Sequence, residues 1–538
     1  MTEGVDLLTF GIMAVLFIAA TLTLGYYGYR NTKNSDEFLL GKNKANPIVI
    51  ALSYGATFLS ASAVIGFGGQ AAVHGASLMW LCFLNLALGV AVAFIVFGNR
   101  ARSLGHKLGA STFADLLGKI YKSKGVRMFT AIIVIVMMPI YCAAVLKGGV
   151  NSLAVITGLD YNMMLLVLSI VVAIYVVYGG IIAVMYNDAM QAVIMLAGMI
   201  TIFAVTVGTL GWDAFQQLTD LTVAGAIQQT NVLPGSNGWT VFPTMFSPEW
   251  WTVVSTFILG VGIGALTQPQ LAVRFMSSKD SKSLNKSMVI GCVFIFVIVG
   301  IAYTVGAMSN LYFFNEHGVN AIQWVTSGTD FIIPTFIMEI FHGFTFGDLF
   351  VSLFLISLIS ASVSTISALM HTIGAAGGYD LYSAIVSKRK GVEMDVKSLP
   401  VNRIVTMVMM VLVVVYCYLM PSDIIAKATS VFMGMTAAAL LPAYVHALYS
   451  KNPNRGAAFN SVVAGSVVYL FWALFVNKGT SIFLPICKLL TGNQVLFDGT
   501  VMYVDAMIVA LPVSAIVMAI SLFIARKTAS STKVPVSE

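Results

Sequence analysis

Charge is what this sequence has least of. Only 9% of its 538 residues are Asp, Glu, Lys or Arg, against about 25% in a soluble domain. No segment is polar enough to form a separate soluble enzyme domain. Cysteine is also sparse. Cys82, Cys142, Cys292, Cys417 and Cys487 stand alone, without a C-x-x-C pair or histidines at metal-ligand spacing. Neither a disulfide framework nor a metal–thiolate site is indicated, and no organic cofactor is expected. A basic leader is missing too: the first apolar run follows Glu3 and Asp6 and is long enough to span a bilayer, so no cleavable signal is expected.

Apolar residues fill the place of charge. They make up 58% of the chain, and the mean hydropathy is +0.90. This is the composition of an all-α polytopic membrane protein whose first partner is the lipid bilayer. At about 20 apolar residues per crossing, the sequence predicts about 13 transmembrane helices. They lie near 5–27, 48–75, 77–98, 128–156, 163–178, 181–210, 249–273, 287–313, 347–377, 404–420, 424–446, 457–476 and 503–525. With the N-terminus outside, the inner loops are 28–47, 99–127, the tight turn at Gly179-Gly180, 274–286, 378–403, 447–456 and the tail 526–538, which is expected to be disordered. All but four of the 29 Lys and Arg fall in those loops; the exceptions are Lys147, Lys427, Lys478 and Lys488. Basic residues gather on the cytoplasmic side of membrane proteins. The net charge of +7 is therefore a topology signal and does not imply nucleic acid. The expected location is the plasma (inner) membrane, with an extracellular or periplasmic N-terminus and a cytoplasmic C-terminus. No obligate protein partner is evident.

Two spans look interrupted at matching places. The second contains Leu52-Ser-Tyr-Gly-Ala-Thr-Phe-Leu-Ser-Ala-Ser62, and the seventh contains Gly260-Val-Gly-Ile-Gly-Ala-Leu-Thr-Gln-Pro-Gln270. Glycine weakens a helix, and Pro269 removes a backbone donor and frees a carbonyl. These spans open two five-helix blocks, 48–210 and 247–446, set between an N-terminal helix (1–27) and a C-terminal pair (457–525). Five is odd, so the blocks enter the membrane from opposite sides. Paired broken helices in an inverted repeat point to a secondary transporter with its site at the midplane. Close helix packing is the competing reason for membrane glycines.

The ninth span, Gly347 to Tyr382, carries Ser360, Ser362, Ser364, Thr365 and Ser367 with no charge between Asp348 and Asp380. On a helix Ala361, Ser364 and Thr365 share one face. Neighbouring hydroxyls beside a small residue offer an alkali cation the oxygen ligands that hard cations prefer. They also serve as packing glue that bonds carbonyls one turn back.

These residues resemble the sodium/solute symporter family, which includes proline, pantothenate, monocarboxylate and sugar carriers. The resemblance covers roughly residues 5 to 450. It rests on Asp36-Glu-Phe-Leu-Leu-Gly41, Ala51-Leu-Ser-Tyr-Gly-Ala-Thr-Phe-Leu-Ser60, Tyr178-Gly-Gly-Ile-Ile-Ala-Val with Asn187-Asp-Ala-Met-Gln191, Gln268-Pro-Gln with Val273-Arg-Phe, and Ala361-Ser-Val-Ser-Thr365 followed by Asp380-Leu-Tyr382. It implies a LeuT-like five-plus-five inverted repeat and Na+ as the coupling ion. Sodium would be held by carbonyls of Ala56, Leu59 and Ala361 and hydroxyls of Ser364 and Thr365, with Asp188 supporting from behind. Alternatively, Asp188 is an anchor near the cytoplasmic surface or the partner of a basic loop.

The solute is expected beside the broken helices, where Tyr54, Thr57, Phe58, Ser60, Thr267, Gln268 and Gln270 are candidates. Proline carriers of the family place an acid next to the small residue of the second span and an aromatic pair in the seventh. Phe58, Val261 and Ala265 stand there instead. Ile48 to Gly69 and Ala272 to Lys282 look closer to the pantothenate and monocarboxylate branches, so a small organic carboxylate is favoured. The alternatives are an amino acid such as proline, or a sugar, and a proton in place of sodium. Lys147 reads either as a carboxylate's counter-ion or as a side chain snorkelling at the outer interface. His371 reads as packing. A channel would need a selectivity filter or a ring of like charges, and a sensor would need a signalling module after Ala525; neither is expected.

Overall fold

The structure is a computed structural model describing residues 5–41, 46–342, 344, 346–390, 395–421, 425–482 and 485–531. Residues 1–4 of the expected N-terminal segment, Lys42 and Lys44 of the first inner loop and residues 532–538 of the tail lie outside the described residues. Helices dominate, and no β-strand occurs among the described residues. In chain order the helices that position the site are α1 (Leu7–Asn31), α2 (Pro47–Phe58), α3 (Phe67–His74), α4 (Lys124–Thr157), α5 (Tyr161–Leu210), α6 (Pro269–Met276), α7 (Gly347–Ala375), α8 (Leu399–Leu419), α9 (Ile425–Tyr449) and α10 (Ala506–Ser531). Because α10 runs on to Ser531, the first residues of the expected disordered tail are helical.

Eleven helices among the described residues are long and apolar enough to cross a bilayer, fewer than the thirteen expected. Two very long ones carry the difference. As a straight rod, the 50 residues of α5 would measure about 75 Å, against a hydrocarbon core of about 30 Å. The rod is broken at Gly180, whose φ of 58° and ψ of −157° leave the helical region. That backbone is open to glycine, and a Cβ there would stand 3.0 Å from the Phe38 backbone. The 47 residues from Ser62 to Leu108 are interrupted in the same way at Gly75 (φ 66°, ψ −150°). A total of thirteen requires two crossings from each.

Helix α7 is the axis of the bundle and is buried along nearly its whole length from Val351 to Ala375. Its small residues let neighbours come close. Ser357 donates to the Ile194 carbonyl of α5 at 2.9 Å, beside Gly198. By contrast, α1 leans on α5 through Gly25 and Gly28, which meet Tyr175 and Ala183, and leaves Leu8, Val15 and Leu16 exposed for lipid. At the end of the bundle where the basic loops gather, Arg127 joins Asp380 (2.8 Å) and Asp395 (2.6 Å). Burial raises the Asp395 pKa, but hydrogen bonding and charge from Arg127, with help from Lys119, outweigh it and hold the carboxyl below its ordinary value. At the opposite end Lys147 donates to the carbonyls of Cys417 and Met420. A cation there completes the C-terminus of α8, so this ammonium is engaged by backbone. His371 bonds the Phe38 carbonyl at 2.7 Å, in keeping with packing.

Candidate functional site

Helix α2 stops at Phe58. Leu59 has φ −89° and ψ 87°, and the next turn starts with Ala63 and Val64 bonding the Ser60 carbonyl. A helix end leaves its last carbonyls without intrahelical donors, and inside a membrane each needs another partner. The partners come from α7. The Ser364 hydroxyl lies 3.0 Å from the Ala56 carbonyl and 3.2 Å from that of Ala361. The Thr365 hydroxyl lies 3.0 Å from the Thr57 carbonyl and 3.5 Å from that of Ala56. Four of the five expected cation ligands, Ala56, Ala361, Ser364 and Thr365, thus converge on one buried spot. Leu59 sits at the break itself, while the Thr57 carbonyl, absent from the expected set, joins the cluster. Ser362 turns elsewhere: it bonds the Leu358 carbonyl at 3.0 Å and packs on Gly149.

The second break is made by proline. The residue before a proline avoids the helical region, and Gln268 is extended (φ −70°, ψ 115°) before α6 begins with Pro269. The Gln268 amide donates to the Gly264 carbonyl at 2.8 Å and to the Thr436 hydroxyl of α9 at 2.9 Å. Gln270 donates to Gln268 at 3.2 Å. The other solute candidates are buried nearby. Ser60 accepts from Tyr141 at 3.3 Å, and Tyr54 packs its ring on Phe94 and Phe275. The Tyr54 hydroxyl, the Thr267 hydroxyl and the Gln270 amide oxygen have no hydrogen-bond partner among the described residues.

Between the two breaks lies an ion pair. Asp188 and Arg274 are 2.8 Å apart, with side chains 0% and 1% exposed. Ser53 donates to Asp188 at 2.7 Å and Thr57 does so at 3.2 Å; Ser367 reaches its other oxygen at 3.4 Å. Arg274 also donates to Ser53 (2.9 Å), the Thr57 hydroxyl (2.5 Å) and the Gln270 carbonyl (2.6 Å). The sequence reading put Arg274 in the loop 274–286, among the basic residues of the inner face. It is instead buried near the end of α6, because Asp188 and three neutral groups satisfy its donors. Its signal was present: an arginine flanked by Leu271-Ala-Val273 and Phe275-Met276 in a helix opened by Pro269 is poorly placed for water. Ser53, Tyr141 and Thr436 were missed as well, and Ser367 stood among the ninth-span hydroxyls without a role of its own. Hydroxyls in apolar helices carry no mark of which neighbour they will meet.

Helices broken opposite one another around clustered oxygens define a class of protein, the secondary transporters that couple a solute to an ion. Comparison with known proteins identifies the branch. The sequence profile of the Sodium:solute symporter family matches residues 38–465, and the chain belongs to that family. It is a multi-pass membrane protein and a sodium-coupled solute symporter, a transporter and not an enzyme. Its relatives include sodium/proline symporter 2 of Staphylococcus saprophyticus subsp. saprophyticus, 27% identical over 478 residues (88% of this chain, 87% of that protein). The sodium/proline symporter of Staphylococcus aureus is 26% identical over 471 residues (87% and 86%). Among solved structures, the substrate-bound outward-open state of a Na+-coupled sialic acid symporter superposes with a TM-score of 0.71 at 17% identity, covering 95% of this chain and 97% of that one. That likeness supports the expected all-helical LeuT-like fold.

Proposed function

We propose that the chain imports a small monocarboxylate together with sodium, by alternating access at the two broken helices. Sodium would sit among the carbonyls of Ala56, Leu59 and Ala361 and the hydroxyls of Ser364 and Thr365, with Asp188 supporting it through Thr57 and Ser367. The cytoplasmic side is taken to be the end where the basic loops gather. The blocks 48–210 and 247–446 are taken as the inverted repeats that rock about the site.

The observation that carries the carboxylate is electrical. Among the described residues, the charged side chains touching the breaks are Asp188 and Arg274, and they cancel. A bound sodium ion leaves the centre with one positive charge, and an unpaired buried ion costs on the order of several kcal/mol. A monovalent carboxylate restores neutrality; a sugar or a zwitterion does not. The unpaired hydroxyls of Tyr54 and Thr267 supply donors for its oxygens, and Phe58 supplies an apolar wall. The same pairing weighs against a proton as coupling ion, because Asp188 is already neutralised by Arg274.

The second reading is an amino acid such as proline, favoured by the sodium/proline symporters among the relatives. Counterflow in proteoliposomes separates the two, using pyruvate, lactate, propionate, L-proline and glucose with sodium and pH varied independently. The carboxylate reading expects exchange of a monocarboxylate, and sodium-driven net uptake without charge movement at one sodium per solute. Exchange of L-proline alone, with an inward current during its sodium-driven net uptake, would establish the second reading instead.

A further inference from the structure

At the end of the bundle opposite the basic loops, a cavity of about 420 Å³ opens between α3, the start of α9, the outer half of the broken seventh span and the segment after residue 475. That volume falls within the range of small-molecule pockets, about 300–1,000 Å³. Its polar lining includes Gln70, Thr256, Thr329 and Asn477, together with Lys427 and Lys478. With Arg274 drawn into the centre, the basic residues outside the inner loops are Lys147, Arg274, Lys427, Lys478 and Lys488, and the cavity brings two of them together. Neither ammonium makes an ion pair or hydrogen bond to a described residue. No carboxylate is among the described lining residues. Of the nearby acids, Glu249 bonds His74 and the Leu233 amide, Asp330 bonds the Ile425 amide, and Asp505 bonds the Met507 amide through one oxygen while its other oxygen has no partner among the described residues. Gln70, which bonds the Thr329 hydroxyl at 3.1 Å, stands in α3, beyond the first break from the sodium cluster.

We propose that this cavity is an outer capture subsite for a carboxylate anion, held by Lys427 and Lys478 before it passes to the broken helices. The inference rests on the monocarboxylate reading. It accounts for a division of labour in the fold: the centre has no cation to spare for an arriving anion, whereas the vestibule has two. A cleft walled by protein and lined by one sign of charge concentrates the opposite ion and speeds its capture.

The test measures sodium-dependent uptake of pyruvate, lactate, propionate and L-proline into proteoliposomes containing the whole chain. Wild type is compared with Lys427→Gln, Lys478→Gln, the double variant and Lys427→Arg. The amount of folded, reconstituted protein is normalised by size-exclusion chromatography. Expected for the carried monocarboxylate is a KM raised roughly three- to tenfold in the double variant, with little change in kcat and a weaker dependence of KM on ionic strength. Lys427→Arg should restore the wild-type KM. A wild type that carries a monocarboxylate, with a double variant of unchanged KM and salt dependence, overturns the subsite alone. A kcat loss that Lys427→Arg does not rescue also overturns it, since the lysine would then be structural. A wild type that carries only L-proline overturns the monocarboxylate reading and the subsite with it.

Discussion

Replacing Thr365 by valine separates the two roles available to the hydroxyls of α7. Valine keeps the branched shape of a fully buried side chain and removes only the oxygen that lies 3.0 Å from the Thr57 carbonyl and 3.5 Å from that of Ala56. If Thr365 is a sodium ligand, a desolvated cation loses one of about five oxygens. A hydrogen bond to a charged group is worth about 1.5–3 kcal/mol, and a coordinating oxygen should be worth at least as much. At about 1.4 kcal/mol per factor of ten, apparent sodium affinity should fall roughly ten- to a hundredfold. Solute uptake at low sodium should fall with it and partly recover at high sodium, since the two affinities are linked reciprocally. The assay is solute uptake against sodium concentration in proteoliposomes. Ser362→Ala is the control, because among the described residues its hydroxyl bonds back to the Leu358 carbonyl of its own helix. If the hydroxyls are packing glue, Thr365→Val should lower the melting temperature and leave the sodium half-saturation point in place. That outcome, or a Ser362→Ala variant with the larger sodium defect, would refute the cation site.

Three other outcomes are expected. Phe58→Ala or Gln268→Ala should change solute preference or raise the solute KM while leaving sodium binding nearly intact; if both variants keep wild-type preference and affinity, the pocket lies elsewhere. Asp188→Asn and Arg274→Gln should each destabilise the protein by about 3–5 kcal/mol, because each leaves a buried charge unpaired, and the double variant should melt above either single one; strictly additive losses would mean that the pair is not coupled. Cysteines placed at Thr2 and Ser530 should label from opposite sides of intact cells, whereas labelling from the same side would mean an even number of crossings.

Most of the architecture was legible because a membrane simplifies the code. Length and hydropathy marked the apolar segments, and the two helix breaks fall inside the stretches 52–62 and 260–270 that their glycines, hydroxyls and Pro269 singled out. Ala361, Ser364 and Thr365 were legible as a face because helical spacing fixes which side chains rise together. Arg274 was hidden by its charge, since a count of Lys and Arg by loop sorts an arginine into a loop before its neighbours are weighed. The substitution of the Thr57 carbonyl into the oxygen cluster was hidden for a different reason. Which carbonyls a break releases depends on the residue at which the helix stops, and sequence places helix ends only to within a few residues.

Thr57 emerges as the residue through which the sodium cluster and the charged centre act on one another. Its carbonyl meets Thr365, while its hydroxyl lies 2.5 Å from Arg274 and 3.2 Å from Asp188. Sequence reasoning placed Thr57 with the solute residues, yet both of its polar groups are engaged here. Thr57→Val leaves the carbonyl in place and strips the hydroxyl from two charged partners, each contact being worth about 1.5–3 kcal/mol. The resulting shift of α2 against Arg274 should reach the Thr365 contact one peptide away. Sodium half-saturation should therefore rise by roughly tenfold or more, although no proposed sodium ligand has been altered. Thr57→Ser, which retains the hydroxyl, should stay near wild type. Measuring sodium dependence and solute KM side by side decides the matter. A Thr57→Val variant with a raised solute KM and an unmoved sodium half-saturation point would return Thr57 to the solute pocket and break the proposed link between the two sites.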